Sequence, residues 1–424
     1  MSYRFFLFAI VMLLVPSLAF GATSGKLKGT ITDQETGGPL VGANVVISGT
    51  SMGAATDEDG KFVILNVPIG VYEIDIKYIG YQNYLLTEVK ITADLTTAIS
   101  AELSSVAVQV GAVTVVAQRP LVNMNATNAV RIVGSEELLS LPVRGVRAVV
   151  ALQAGVVIKD NKIYIRGGRD DEVGYYIDGA SSRDIMTGDN AINIIPESVE
   201  EFQLQAGGFS AQYGGANSGI LTTTLKTGGS SWKFSIQGET DKLAGENKTF
   251  DDDKQFLDTY SYGYTDLVAT ISGALTDKIR LFAAGERQFQ RDSEKVFWTG
   301  FKFEGLVDSG NRGGIVGEEA PTLDLASGNV PFGRDERWTA NGTLLFDLSP
   351  IRLRFSANAT TRTAQRRRNN SGNLPILNIL NGDRIPESES SNGLYSLRLT
   401  HLLTPVSYYE VSVNYFDSRA KTVD

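Results

Sequence analysis

The sequence predicts a mainly β protein in three parts: a small β-sandwich, then a compact α/β unit, then the first strands of an antiparallel transmembrane β-barrel. Three observations carry this expectation. Apolar and polar residues alternate with the two-residue period of half-buried strands in many short segments. Gly supplies 44 of the 424 residues and clusters between those segments, as a turn-rich chain requires. In the second half tight turns alternate with long loops, the pattern of barrels with short turns at one membrane face and long loops at the other.

The chain opens with Tyr3 and Arg4, an apolar run from Phe5 to Val15, Pro16, and small residues at Ser17, Ala19, Gly21 and Ala22. These are the three regions of a secretory signal, so residues 1–21 are expected to be a cleaved leader; the apolar run falls short of the roughly 20 residues a spanning helix needs. No later segment has such a run, which leaves release beyond the inner membrane or insertion as a closed barrel. Composition removes other classes. There is no Cys, hence no disulfide framework, thiolate site or cysteine nucleophile. The single His, His401, is followed by Leu402, Leu403 and Thr404, so no zinc motif of the HExxH kind exists. Against 39 Lys and Arg stand 48 Asp and Glu, an acidic balance that argues against a nucleic-acid partner. No enzyme activity, metal or cofactor is expected.

Residues 25–103 read as the sandwich. Val45 and Ile47 alternate with Val46 and Ser48, and Tyr72, Ile74, Ile76 and Tyr78 alternate with Glu73, Asp75 and Lys77. Asp57-Glu58-Asp59-Gly60 could be a calcium loop, but it lacks the later Glu of an EF-hand and reads better as a hairpin turn. The string from Gly29 to Tyr81, GTITDQETGGPLVGANVVISGT and onward to IGY, resembles the carboxypeptidase regulatory-like domain, a transthyretin-like β-sandwich found at the amino terminus of outer-membrane receptors. That resemblance implies no peptidase activity.

Residues 104–229 change character. After the extended apolar strand VQVGAVTVVAQRP come a helix signal at SEELLS, with Ser135 able to cap and Glu136 and Glu137 suited to the first turn, and a second short helix from Gly145 to Leu152. Strands around Gly-rich, charged turns follow, which suggests an α/β unit. The ordered motifs Leu141-Pro142, Ile165-Arg166-Gly167-Gly168-Arg169, Tyr176-Ile177-Asp178-Gly179, Ile195 to Glu201, Gly207-Gly208-Phe209 to Tyr213-Gly214, and Lys226 to Gly229 closely resemble the plug domain of TonB-dependent outer-membrane receptors. The paired glycines lack the strand, GxGxxG and helix context of a nucleotide loop. The resemblance implies a TonB box ahead of the plug, contacted by the energy-coupling protein TonB. Val113, Thr114, Val115, Val116 and Ala117 are the candidates, because an extended apolar segment without Pro can add to another protein's sheet. Gly111 and Ala112 stand where the family has an acidic residue, and a first plug strand or linker is the other reading. The resemblance also suggests that charges around Arg166 and Arg169 hold the plug against the barrel wall.

Residues 230–424 read as barrel. Expected strands are Trp232 to Glu239, Ser261 to Leu275, Ile279 to Gln290, Trp338 to Leu348, Ile351 to Thr361, Leu394 to Leu402 and Val406 to Phe416. Ile351, Leu353, Phe355, Ala357 and Ala359 alternate with Arg352, Arg354, Ser356, Asn358 and Thr360, so one face would meet lipid and the other a wet lumen, although a soluble sandwich shows the same alternation. Trp298, Trp338, Tyr408 and Tyr409 fit aromatic girdles, and Asp251 to Asp253 and Arg366 to Arg368 fall in expected outer loops. About seven strands compare with about 22 in transporters with a plugged lumen, so the sequence reads as the amino-terminal part of a receptor. Function is then expected to be import of a scarce solute (a siderophore, cobalamin, glycan or peptide) across the outer membrane, driven by a TonB-type protein, with the first two domains periplasmic or inside the barrel. The other reading is a structural or signalling envelope protein whose sandwich binds a partner or glycan.

Overall fold

Alternation in the first hundred residues builds two facing sheets. The computed structural model describes residues 24–93, 95–105, 113–116, 130–142, 145–159, 162–209, 213–241, 263–290, 301–303, 323–325, 334–365, 387–404 and 407–423. The leader, Ala117, Trp298, Asp251 to Asp253 and Arg366 to Arg368 lie outside them. Strands β1 (Ser24–Asp33), β2 (Asn44–Ile47), β3 (Gly53–Ala55), β4 (Lys61–Pro68), β5 (Gly70–Lys77), β6 (Tyr84–Ile91), β7 (Thr96–Leu103) and β8 (Val113–Val116) form a three-stranded sheet ordered β4-β1-β7 and a five-stranded sheet ordered β3-β2-β5-β6-β8. Val45, Ile47, Ile74 and Ile76 point inward and are fully buried with Leu27, Ile31, Phe62 and Leu103, while Val46, Glu73 and Lys77 turn away. The Asp57–Gly60 segment is a turn, but it closes no hairpin: β3 belongs to one sheet and β4 to the other, so it carries the chain across the sandwich. Asp57 Oδ1 accepts from the backbone N–H groups of Asp59 and Lys61, at 3.0 and 2.8 Å.

The second unit begins with β9 (Val130–Gly134) and the helices Ser135–Ser140 and Val146–Ala151. Gly134, not Ser135, is the N-cap residue of the first helix and makes no side-chain cap bond; Glu136 and Glu137 sit in its first turn, where the N-terminal partial positive charge favours them. A hairpin of β10 (Val156–Lys159) and β11 (Lys162–Ile165) precedes β12 (Val173–Ile177), β13 (Ala180–Ser181), β14 (Val199–Gln205) and β15 (Gly219–Leu225). The main sheet is ordered β13-β12-β15-β14-β9, with only the β12/β15 pair parallel. Every residue of β12 and β15 is buried, as in sheets covered on both faces.

The third unit is a meander: β16 (Lys233–Thr240), β17 (Thr265–Thr276), β18 (Ile279–Gln290), then β21 (Asp335–Leu348), β22 (Ile351–Gln365), β23 (Glu387–Thr404) and β24 (Ser407–Val423), paired in that order in one antiparallel seven-stranded sheet. The short β19 (Phe301–Phe303) and β20 (Leu323–Leu325) pair separately. The faces of the meander are reversed relative to a soluble sheet. Ser356, Asn358, Thr360, Ser396, Arg398 and Thr400 are buried, whereas Phe234, Ile236, Val413 and Tyr415 are 70, 80, 65 and 60% exposed. Trp338, near the long-connection end, and Tyr408 and Tyr409, near the short-turn end, are also exposed. Apolar-out and polar-in is the arrangement a lipid-facing barrel wall requires.

Candidate functional site

The inner face of the meander is buried because the α/β unit fills its concavity. Asp178 is the central contact. It follows β12 in a two-residue turn with Gly179, and both have positive φ (47° and 79°), as the type I′ hairpin from β12 to β13 demands. Asp can enter this region more readily than most residues, and Gly enters it freely. The turn places the Asp178 carboxylate, 2% exposed, against β22 and β23. Arg354 Nη2 donates to both carboxylate oxygens at 3.2 Å and to the Leu225 carbonyl at 2.9 Å, and Arg354 Nη1 donates to Thr227 Oγ1. Arg398 Nη2 donates to the Asp178 backbone carbonyl at 2.7 Å. Leu225 N–H completes the set on Asp178 Oδ1 at 3.1 Å.

Further polar groups extend the seam. Asn193 Nδ2 donates to Glu286 Oε2 (3.0 Å) and Thr339 Oγ1 (3.1 Å), and its backbone N–H to Thr360 Oγ1 (3.0 Å). Asn341 Oδ1 accepts from Ile195 N–H at 2.9 Å and Ser198 Oγ at 3.2 Å; Thr343 Oγ1 donates to the Lys226 carbonyl at 2.7 Å. Gly228 approaches so closely that a Cβ there would lie 2.3 Å from the Leu281 carbonyl oxygen, which only Gly permits. The apolar cluster of the α/β unit takes in Leu394 from the wall as well.

The anchors expected at Arg166 and Arg169 make no ion pair with the seven described wall strands. Arg166, with φ 49°, and Arg169 are exposed on the α/β unit; Arg169 pairs with Glu172 at 3.3 Å, and among the described residues neither makes an ion pair with the wall. Among the described residues the charged contact between plug and wall is Asp178 with Arg354. Gly167 and Gly168 complete the turn between those arginines, with Gly168 packed on Ser218, and Gly207 brings the backbone beneath Arg166 Nη1. Gly208 follows Gly207 after β14, and the Gly214 carbonyl accepts from the Tyr176 hydroxyl at 2.9 Å. Val113–Val116 is neither a plug strand nor free: it is β8, the edge strand of the sandwich, paired in parallel with β6 from Tyr84↔Val113 to Thr87↔Val116. Sequence reasoning did not single out Arg354, Arg398, Asn193 or Asn341 as plug contacts; a signal existed in the inward-facing register of Arg354, Arg398 and Asn341 on their strands, and none at Asn193.

Two further features frame the seam. Toward the long connections a cavity of 590 Å³ is lined by Arg147, Tyr175, Asp184, Arg337, Arg362 and Asn392 among others. Burial pushes the Tyr175 hydroxyl up to about 12. At the short-turn end the sandwich meets the wall: Arg352 Nη1 donates to the Asn66 carbonyl at 3.0 Å, Asn66 Nδ2 to Glu410 Oε1 at 3.1 Å, and Arg280 Nη2 to the Gly49 carbonyl. It also meets the plug, where Ala93 N–H donates to Glu201 Oε1 at 3.2 Å and Gln203 Nε2 to the Ala93 carbonyl at 3.1 Å. Burial raises the carboxyl of Glu201 above the usual glutamate range.

Comparison with known proteins agrees with these parts. Residues 27–115 match the CarboxypepD_reg-like domain and residues 122–220 the TonB-dependent Receptor Plug Domain. The chain is 24% identical over 305 residues to the TonB-dependent transporter Oar of Myxococcus xanthus, covering 66% of this chain and 28% of that one. It is 31% identical over 239 residues to a TonB-dependent receptor of Formosa agariphila, covering 52% and 21%. It thus spans under a third of these relatives' length. The siderophore receptor PirA of Acinetobacter baumannii aligns at a TM-score of 0.48 and 16% identity, over 69% of this chain and 40% of that one. These relatives are a transporter and a receptor by name. The chain thus carries a CarboxypepD_reg-like domain followed by a TonB-dependent Receptor Plug Domain, and over those parts it is similar to TonB-dependent receptors and transporters.

Proposed function

We propose that the protein carrying this chain imports a small solute through the outer membrane, with the plug moved by a TonB-type energy-coupling protein. The observation that supports this reading most is the meander's reversed faces around a plug held, among the described residues, by the Asp178–Arg354 ion pair and a row of hydrogen bonds. Such a seam seats the plug against the wall, yet most of its contacts are hydrogen bonds that can be exchanged for water as the plug shifts, so the process is binding plus a driven conformational change. The cavity lined by Arg147, Arg337, Arg362 and Asn392 lies on the long-connection side, where an external solute would first meet plug and wall. Siderophore, cobalamin, glycan and peptide remain the solute classes under this reading.

Coupling is assigned to Val113–Ala117. Strand addition draws its affinity from backbone groups, so Val115→Pro, which removes a donor and fixes φ, should abolish energised uptake, while Val115→Ala does much less and both retain solute binding. Uptake of radiolabelled candidate solutes by cells with and without TonB is the test of the whole reading. Equal uptake in both strains would leave the structural or signalling alternative.

A further inference from the structure

Resting on the import reading above, we propose that the sandwich is a removable floor: a cavity between sandwich, plug and wall is the solute's exit chamber, and it opens only when the sandwich swings off as a unit. The cavity measures 670 Å³ and lies at the short-turn end, with Ile69 and Tyr72 of the sandwich, Glu200 and Lys226 of the plug, and Arg280 and Phe282 of the wall among its lining. Burial pushes the Glu200 carboxyl up and the Lys226 ammonium down from their ordinary values, which is the mark of groups kept from bulk water.

The three sides of the chamber are held with unequal strength. The wall is one antiparallel ladder from β16 to β24. The plug is seated on it by the Asp178–Arg354 pair and by shared apolar clusters: Leu394 and Phe416 join the plug core, and Ile195 of the plug is buried with Val268, Phe282 and Ala284 of the wall. The sandwich has no such share. Among the described residues its apolar cluster takes in no side chain of plug or wall. It is docked through hydrogen bonds, at Gly49, Ser51 and Asn66 to the wall and at Ala93 to Glu201 and Gln203 of the plug. Water replaces such bonds at small net cost, whereas parting an apolar cluster exposes its area, so the sandwich is the side that yields first. Because it holds both neighbours, it also ties plug to wall until it leaves. Ile69 marks the docked state: it is 7% exposed, lines the chamber and lies outside the sandwich's own cluster.

The test uses the complete receptor in planar bilayers, with potassium chloride as the probe and urea added stepwise on the sandwich side. Ser51 Oγ lies 3.3 Å from both carboxylate oxygens of Asp347, so Ser51→Cys with Asp347→Cys accepts a short, reducible bis-thiosulfonate linker in a chain that has no native Cys. The floor predicts that the unlinked receptor opens to ions before the wall unfolds, that the linked receptor stays closed at the same urea concentration, and that dithiothreitol restores the openings. Either single-cysteine variant treated with the linker should open like the parent. A second readout needs no linker: in Ile69→Cys a charged maleimide should react only from the urea concentration at which openings begin. Equal openings in linked and reduced receptors, openings while Ile69→Cys stays protected, or a receptor that stays closed until the wall unfolds would each overturn the floor and leave the import reading standing. That reading fails separately, on equal solute uptake with and without TonB, which the ion conductance does not touch.

Discussion

The sandwich and the meander are both sheets of alternating apolar and polar residues, and they bury opposite faces. In β2 and β5 the apolar Val45, Ile47, Ile74 and Ile76 are the buried set; in β22 and β23 the buried set is mainly polar, Arg352, Ser356, Asn358, Thr360, Ser396, Arg398 and Thr400, with Leu394 beside them. Alternation therefore fixes the period of a strand but not the direction of its core. Direction comes from what lies across the sheet: a second apolar sheet in the sandwich, a polar-surfaced plug in the meander.

The largest effect is expected at the seam. Arg354→Ala strands the Asp178 carboxylate, and a buried pair losing one partner costs about 3–5 kcal/mol. Arg169→Ala, at a pair that is mostly exposed on the arginine side, should cost about 0–1 kcal/mol. Urea unfolding of the protein in lipid vesicles measures both. Equal losses would mean that the anchor is not Asp178.

How much of this was legible in the sequence depends on the range of the interaction. The strand Ile279–Gln290 was readable to the residue because Asp277 and Lys278 mark its tight turn. At the long-connection end the strands outrun the reading: β23 starts at Glu387 and β24 runs to Val423, because the polar run Ser388–Ser391 pairs with Ala420 to Thr422 and its neighbours outside any apolar pattern. Asp178 was visible as a motif and Asp178-Gly179 as a turn. Its partners stand 176 and 220 residues further on, and no local pattern announces a contact at that separation. The β8 strand was visible as an extended apolar segment, but its pairing with β6 depends on an edge that only the folded sandwich presents.

Next in size is the sandwich core. Ile74→Ala removes a fully buried side chain and should cost about 2–5 kcal/mol. Leu397→Ala, on the outer face of β23, should cost much less in vesicles because lipid fills the space left. A loss at Leu397 as large as that at Ile74 would mean that the outer face packs against protein. Its counterpart is Leu397→Arg, expected to cost about 2–4 kcal/mol near the bilayer midplane, whereas Val63→Arg on the sandwich exterior should stay within about 0.5 kcal/mol. Vesicle unfolding midpoints that are equally shifted would remove the distinction between the two exteriors.

The smallest effect concerns the sandwich–plug joint. Because burial raises the Glu201 carboxyl, the folded chain holds that proton more tightly than the unfolded chain. The sign follows: stability is greatest at low pH and falls as pH rises from the ordinary glutamate range through the raised value. Glu201→Gln keeps an oxygen for Ala93 N–H and removes the titration, so it should flatten that fall and raise the melting temperature slightly at neutral pH. A melting curve whose pH dependence is unchanged would place the titration elsewhere.

The central claim, that the meander turns its apolar face to lipid and its polar face to the plug, is tested most directly by single-cysteine labelling along Ile351–Thr361 in the otherwise cysteine-free chain. A spin label at each position, relaxed by lipid-soluble oxygen and by an aqueous nickel chelate, reads the environment in turn. The account predicts oxygen access at Leu353, Phe355, Ala357 and Ala359 alternating with protection from both relaxants at Ser356, Asn358 and Thr360. Oxygen access at Ser356 and Asn358 with protection at Phe355 and Ala357 would contradict it.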